Sequence, residues 1–308
     1  MTKVNQNNFT GFTKIPNDLE VSTLRAITAP NGNAYTNTGT RSYLIGFKEL
    51  ALIDPGPNIT SHFNNIILAI GNARLTHIIL THSHQDHCAL AIRLAIELKA
   101  EIYMFGSPNE SNYDLLKNIC DVSTPLSSLS KINKNITIKK VLDGDKIYNS
   151  EWSFEVVFSP GHRFDHICLA WEEMNILFSG DHVMGWSSTM ILPPSGNMGD
   201  FIKSLKKLLF RKENIYFPTH GEPIREAKTY VQSQIKHRKK REEQILTLVK
   251  QAKHTPLELV PLIYDNLIND LKEPAALNVL ATLIYLSTKG LVNYKGKLSP
   301  ETKFSVTQ

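Results

Sequence analysis

Cysteine is scarce in this chain. Cys88, Cys120 and Cys168 are all that 308 residues contain, an odd number without paired spacing. That argues against a disulfide framework and fits a reducing compartment. Long apolar runs are missing too, so no segment has the length of a membrane span. The N-terminus, M-T-K-V-N-Q-N-N-F-T-G-F, has neither an apolar signal core nor an Arg-rich amphipathic pattern, which favours a cytoplasmic location. No Gly-x-Ser-x-Gly elbow and no Cys/His nucleophile arrangement occurs, so no side chain stands out as a covalent nucleophile. Charge of one sign does not dominate. The net charge is +5 at pH 7, which permits an acidic partner without demanding one. What remains is the composition of an ordinary soluble protein, long enough for one large or two domains.

Histidine, by contrast, is concentrated. In Thr81-His82-Ser83-His84-Gln85-Asp86-His87 three imidazoles and a carboxylate fall within six positions. Thr76 to Leu80 before it reads as a short buried strand, and Cys88 to Leu98 after it carries apolar residues at helical spacing. The cluster therefore sits where a strand ends and a helix begins. His82 and His84 point the same way if the backbone is still extended, and Asp86 and His87 follow on the turn. Such a turn can present two ligand pairs to two neighbouring cations. Imidazole with carboxylate suits zinc, with iron and manganese as alternatives. Cys88 reads as a small buried residue at the helix start.

The pattern H-x-H-x-D-H after a strand resembles the metallo-beta-lactamase fold superfamily. Three later motifs match in the family's order: Ser159-Pro160-Gly161-His162, Ser179-Gly180-Asp181 and Thr219-His220-Gly221. The resemblance implies that His82, His84 and His162 hold one Zn2+, that Asp86, His87 and His220 hold a second, and that Asp181 bridges them. Asp86 and Asp181 are then the catalytic carboxylates. It implies a hydroxide shared by two cations about 3.5–4 Å apart, which attacks a carbonyl carbon or phosphorus. An Asp at the bridging position, where the commonest secreted lactamases have Cys, argues against that particular activity. Asp54, closing a strand at Asp54-Pro55-Gly56-Pro57, is expected to orient a histidine ligand, although a plain turn carboxylate reads the same way. His166 is expected to support the site rather than to bind metal.

The order of elements fits an α/β fold, an αββα sandwich, over residues 1–228. Ser42 to Phe47 and Glu49 to Ile53 read as a hairpin. Strands follow at Ile102 to Met104, Ile136 to Val141, Lys146 to Tyr148, Trp152 to Phe158, Ile167 to Trp171 and Asn175 to Phe178. Residues 106–135 read as a loop with a short helix at Tyr113 to Ile119. The loop from His182 to Asp200 offers Met184, Trp186 and Met190 to a substrate pocket. Asp200 reads as the cap of a helix over Phe201 to Leu209.

Residues 229–308 shift in composition. One long helix runs from Thr229 through Ala252, a second starts at Thr255-Pro256-Leu257-Glu258, and a third spans Pro274 to Ser287. Leu291 to Tyr294 opens a β-wing. Three helices and a hairpin resemble a winged-helix module. Together with the run His237-Arg238-Lys239-Lys240-Arg241, they are similar to the beta-lactamase-like protein 2 branch, whose eukaryotic member cuts single-stranded RNA. The third helix has no charged residue between Glu273 and Lys289, so sequence-specific DNA reading is not expected. The basic run makes Lys239, Lys240 and Arg241 candidate substrate contacts. A solvated helix face is the commoner meaning of such a run. The leading expectation is a phosphodiesterase acting on single-stranded RNA. The alternative is hydrolysis of a small carbonyl compound, an acyl thioester such as hydroxyacylglutathione or a lactam.

Overall fold

The computed structural model describes residues 12–13, 23–107, 109–119, 132 and 134–307. Cys120, the stretch before Phe12 and residues 120–131 of the loop expected over 106–135 lie outside them. Among the described residues seven strands form one sheet in chain order: β1 (Phe12–Thr13), β2 (Leu24–Thr28), β3 (Arg41–Ile45), β4 (Glu49–Ile53), β5 (Arg74–Ile79), β6 (Glu101–Phe105) and β7 (Ile138–Val141). The first four pair antiparallel and the last four parallel. A second sheet contains β8 (Lys146–Tyr148), β9 (Ser153–Phe158), β10 (Ile167–Trp171), β11 (Ile176–Gly180) and β12 (Ile215–Pro218), ordered β12-β11-β10-β9-β8.

Alternation along the strands builds the layers. On β10, Ile167, Leu169 and Trp171 face the core between the two sheets, whereas Cys168 and Ala170 face the outer core of the second. On β3, Tyr43 and Ile45 point between the sheets and Leu44 points outward. Strands buried on both faces need helices on both sides. Helices α1 (Thr60–Ile70), α2 (Gln85–Cys88), α3 (Ala91–Leu98) and α4 (Asn112–Ile119) lie with the first sheet, and α5 (Met198–Leu209) with the second. The expected αββα sandwich is therefore present. Its central layer is fastened by aromatic contacts: the Phe178 ring lies 5.1 Å from Tyr43 and 5.9 Å from both Phe154 and Phe217.

Two details differ from the sequence expectations. The helix after the histidine cluster is interrupted. Gly56 N–H donates to His87 O and Leu90 N–H donates to Gly56 O, so the Asp54–Gly56 turn docks into the gap between α2 and α3. Asp200 does not cap α5. Asn197 is the cap, its side chain accepting the Asp200 N–H, and the helix starts three residues earlier than Phe201.

Helix α6 (Ala227–Gln251) joins the sandwich to the remainder of the chain. Its start contributes Ala227 and Val231 to the outer core of the second sheet, and its end contributes Ile245 and Val249 to a separate cluster. That cluster also holds residues of α7 (Pro256–Ile263), α8 (Lys272–Thr288), β13 (Val292–Tyr294) and β14 (Phe304–Val306). Thr255 and Glu258 form the expected capping box on α7, and β13 pairs antiparallel with β14 as the wing. No helix among the described residues is long and apolar enough to cross a membrane.

Candidate metal centre and its cavity

The sandwich gathers the polar motifs at neighbouring strand ends. β4 and β5 run parallel, so Asp54 just beyond β4 lies beside Thr81 just beyond β5. Thr81 N–H donates to Asp54 Oδ1 (2.8 Å) and its hydroxyl to Oδ2 (2.7 Å). This fixes where the histidine cluster begins. His84 is still extended, with φ −72° and ψ 145°, so His82 and His84 share one side. The chain then turns into α2, which carries Asp86 and His87.

His162 and Asp181 arrive on two turns that only glycine permits. Gly161 has φ +141°, and a Cβ there would lie 2.3 Å from Phe201 Cα on α5. Gly180 has φ +52°, and its Cβ would lie 2.6 Å from His166 Nε2 and 2.9 Å from Thr81 Oγ1. Glycine adopts this backbone without penalty and leaves room for the ring. His220 follows β12, whose end is held by Tyr43 Oη donating to Pro218 O and by the buried Arg41 guanidinium on Gly221 O and Glu222.

Seven side chains converge. The Nε2 atoms of His82 and His162 lie 2.9 Å and 3.0 Å from His84 Nδ1. His220 Nε2 lies 3.2 Å from Asp86 Oδ2, and His87 Nε2 lies 3.5 Å from the same oxygen. Asp181 stands between these groups: Oδ2 is 3.4 Å from His87 Nε2 and 3.6 Å from His162 Nε2, and Oδ1 is 3.5 Å from His220 Nε2. Within each of the trios His82–His84–His162 and Asp86–His87–His220, the donor atoms lie within 4.8 Å of one another.

The outward nitrogens decide the tautomers. His162 Nδ1 faces the Met190 carbonyl (2.8 Å), His220 Nδ1 faces the Gly39 carbonyl (3.3 Å), and His87 Nδ1 faces Asp54 Oδ2 (2.9 Å). Oxygens without protons can only accept, so each Nδ1 carries the hydrogen and each Nε2 turns a lone pair into the cluster. His87 Nε2 and Asp181 Oδ1 are buried without any hydrogen-bond partner. Lone pairs and carboxylate oxygens facing one another need a cation between them. The charge balance points the same way. Burial works against a charged His87, yet Asp181, Asp86 and Asp54 outweigh it and hold the imidazole well above its ordinary range. Burial likewise works against the Asp181 carboxylate, and His220 and His87 outweigh it and hold its pKa well below the usual value. A field that favours a proton at this point favours a divalent cation more. The residues fit a binuclear metal site.

The two supporting residues are also located. Asp54 is fully buried and accepts from Thr81, His87 and, at 3.0 Å, Thr219 Oγ1. His166 Nε2 accepts the Asp181 N–H at 3.1 Å, while its Nδ1 meets Ser159 Oγ at 2.9 Å. Both ring nitrogens of His166 are thus engaged away from the cluster.

A cavity of about 620 Å³ opens onto the cluster at His84, Asp86, His162, Asp181 and His220. One wall is the loop after Asp181, with Met184, Trp186 and Met190. The C-terminal module also lines it, with Tyr264, Leu267, Leu271 and Ala275. Tyr35 Oη donates to Asp270 O (3.1 Å), joining the rims. Of the basic candidates, Arg241 lines the cavity, but Lys239 and Lys240 do not. They are exposed on α6, and Lys239 lies 3.9 Å from Glu243. Sequence reasoning passed over Arg238, which lines the cavity three residues before Arg241, and Thr189, whose hydroxyl donates to Asp181 O (2.7 Å). The i, i+3 spacing of the two arginines was the available signal.

Fold and site together define a metal-dependent hydrolase. The chain belongs to the metallo-beta-lactamase superfamily, which it matches over residues 35–220, and residues 255–299 match the beta-lactamase associated winged helix domain. It is 29% identical over 273 residues to a beta-lactamase-like protein 2 homolog of Drosophila melanogaster, covering 84% of this chain and 86% of that protein. It is 28% identical over 225 residues to an atrochrysone carboxyl ACP thioesterase of Aspergillus fumigatus, covering 72% of this chain and 47% of that one. Among solved structures, a metallo-beta-lactamase family protein of Thermus thermophilus superposes with a TM-score of 0.74 at 20% identity, over 93% of this chain and 99% of the other.

Proposed function

We propose that this hydrolase cleaves a small carbonyl compound, an acyl thioester or ester with an apolar acyl part, rather than a polynucleotide. One observation carries the proposal: the cluster opens into a cavity walled by Met184, Trp186, Leu267 and Leu271. Its size suits a single small-molecule ligand. Apolar walls beside the polar His/Asp cluster suit a chain that ends in a polar, cleavable carbonyl. The similarity to an ACP thioesterase is consistent with this reading. A run of phosphates would want exposed cations along its track, and the cavity has few.

In this scheme His82, His84 and His162 would hold one ion, Asp86, His87 and His220 a second, and Asp181 would contribute its carboxylate between them. Nitrogen and oxygen donors without thiolate suit Zn2+, and also Fe or Mn. Bound there, the ions supply a Lewis acid and a water whose pKa is lowered towards neutrality. The chain's residues do the rest. Asp54 and the Met190 and Gly39 carbonyls hold the three imidazoles in the liganding tautomer. His166 aims Asp181 through its backbone N–H. The apolar walls exclude bulk water from the scissile bond and orient the acyl chain.

The test is a comparison of kcat/KM for metal-loaded protein on acyl thioesters of graded chain length and on an unstructured RNA. The reading expects turnover of the thioesters, rising with chain length until the cavity is full. RNA cleavage in preference to every thioester, weakening steeply with salt, would overturn it in favour of the polynucleotide.

A further inference from the structure

The cavity contains a buried cation with no counter-ion among the described residues. Arg238 is 5% exposed and lines the cavity. Its guanidinium donates to the Thr189 carbonyl, its Nε has no partner, and it lies 5.0 Å over the Phe201 ring. No carboxylate among the described residues makes an ion pair with it. Burial pushes its pKa down to about 10, partly offset by Tyr264, with Arg241 adding a smaller repulsion. A guanidinium has five donors, and a buried charge ordinarily has a partner, because leaving it unpaired is strongly destabilising.

Arg241 stands one helical turn further on and faces the same space. It donates to Ile263 O (2.9 Å) and Gln244 Oε1 (2.9 Å), and lies 4.5 Å over the Tyr264 ring. It too has no ion pair among the described residues. Its neighbours on α6, Lys239 and Lys240, are exposed and outside the cavity. The two arginines that reach the cavity thus have no carboxylate partner among the described residues, and Arg238 sits against the loop that follows Asp181 through its bond to Thr189 O.

We infer that Arg238 and Arg241 form an anion subsite, and that the substrate carries a carboxylate or phosphate remote from its scissile carbonyl. Paired guanidiniums match either oxyanion through parallel N–H donors. Apolar surroundings make the pairing selective, since the alternative is an unsatisfied charge. The assignment rests on the small-carbonyl reading above and narrows it to anionic acyl compounds. It gives the C-terminal module a part in specificity, because α6 supplies both arginines and Tyr264 follows α7.

Two measurements test it, both on the full metal-loaded chain. The first is calorimetric titration with glutarate and with glycerol phosphate, which separates the carboxylate source from the phosphate source. One or both should bind. Arg238→Gln and Arg241→Gln should each weaken that binding by about 30-fold or more, the scale of removing one partner of a desolvated charge pair. Lys250→Gln, an exposed cation outside the cavity, controls for general charge. Binding that is unchanged in both arginine variants, or no binding by either probe, overturns the subsite. The second is kcat/KM for matched thioesters ending in methyl, carboxylate or phosphate. The charged-to-neutral ratio should favour a charged form and collapse in the arginine variants through KM. Equal use of all three overturns the subsite and leaves the thioesterase reading standing. Failure to cleave any of them removes the thioesterase reading, while the titration still decides the subsite.

Discussion

Asp54→Asn isolates one link between sequence and metal chemistry. Asp54 sits at φ +49°, a left-handed backbone that Asn tolerates and most residues do not, so the substitution leaves the turn intact. The carboxylate accepts Thr81 N–H on Oδ1, and on Oδ2 it accepts Thr81 Oγ1, Thr219 Oγ1 and His87 Nδ1. An amide supplies one acceptor oxygen and one NH2. If the NH2 takes the Oδ1 place, it meets the Thr81 N–H, donor against donor, in a site with no solvent exposure. If it takes the Oδ2 place, the threonine hydroxyls can rotate to accept, but His87 must move its proton from Nδ1 to Nε2. That proton then points into the cluster where a metal must bind. Either arrangement opposes the loaded state. Loss of a partner that orients a metal-binding histidine typically lowers metal affinity 10–100-fold, about 1.4–2.7 kcal/mol. Competition against a chromophoric chelator would measure it, with total bound metal counted for each site. Both ions binding within about twofold of the unaltered protein would refute the reasoning, because His87 would then not depend on Asp54 for its tautomer.

The same geometry sets four further outcomes. Asp181→Ala should abolish turnover and leave fewer than two ions per chain by elemental analysis; full activity in metal-replete protein would remove the two-ion scheme. Gly180→Ala should displace His166 or Thr81 and lower metal occupancy, because its Cβ has no room. Phe178→Ala removes a ring packed between Tyr43, Phe154 and Phe217, and should destabilise by about 3–5 kcal/mol in denaturant titration. Stripping metal with a chelator should lower the thermal midpoint, and restoring it at 100 times Kd should return about 2.7 kcal/mol per site.

Most of the centre was legible in the chain because its parts are local. Each motif is a few residues long, and each stands where an apolar strand meets a turn, so its position could be read, while its role came from the resemblance. Other features depend on contacts distant in sequence. The break at Ala89 and Leu90 is made by Gly56, more than thirty residues earlier, and nothing within residues 85–98 announces it. Asn197 displaced Asp200 as helix cap because Gly199 and Met198 continued the helix backwards, which apolar periodicity alone does not reveal. The basic run on α6 was visible as a run, but a solvated face and a cavity wall look alike in sequence. Packing against Phe201 and Tyr264 turned Arg238 and Arg241 inward and left Lys239 and Lys240 outside.

The winged-helix module is packed against the hydrolase through its third helix. Base recognition needs polar side chains on an exposed helix face. In α8 the buried residues include Ala275, Ala276, Asn278, Val279, Leu280, Ala281, Thr282, Leu283 and Leu286, so the helix is used from several sides for packing. Its polar side chain Asn278 turns towards the hydrolase, where Oδ1 accepts the Ile191 N–H at 3.0 Å. One residue earlier, Met190 O accepts from His162, and one before that, Thr189 joins Asp181 O to the Arg238 guanidinium. Three consecutive residues therefore tie two members of the metal cluster to two helices of the module. The module and the sandwich share a wall, and a substitution in α8 that frees Ile191 would reach His162 through a single intervening residue.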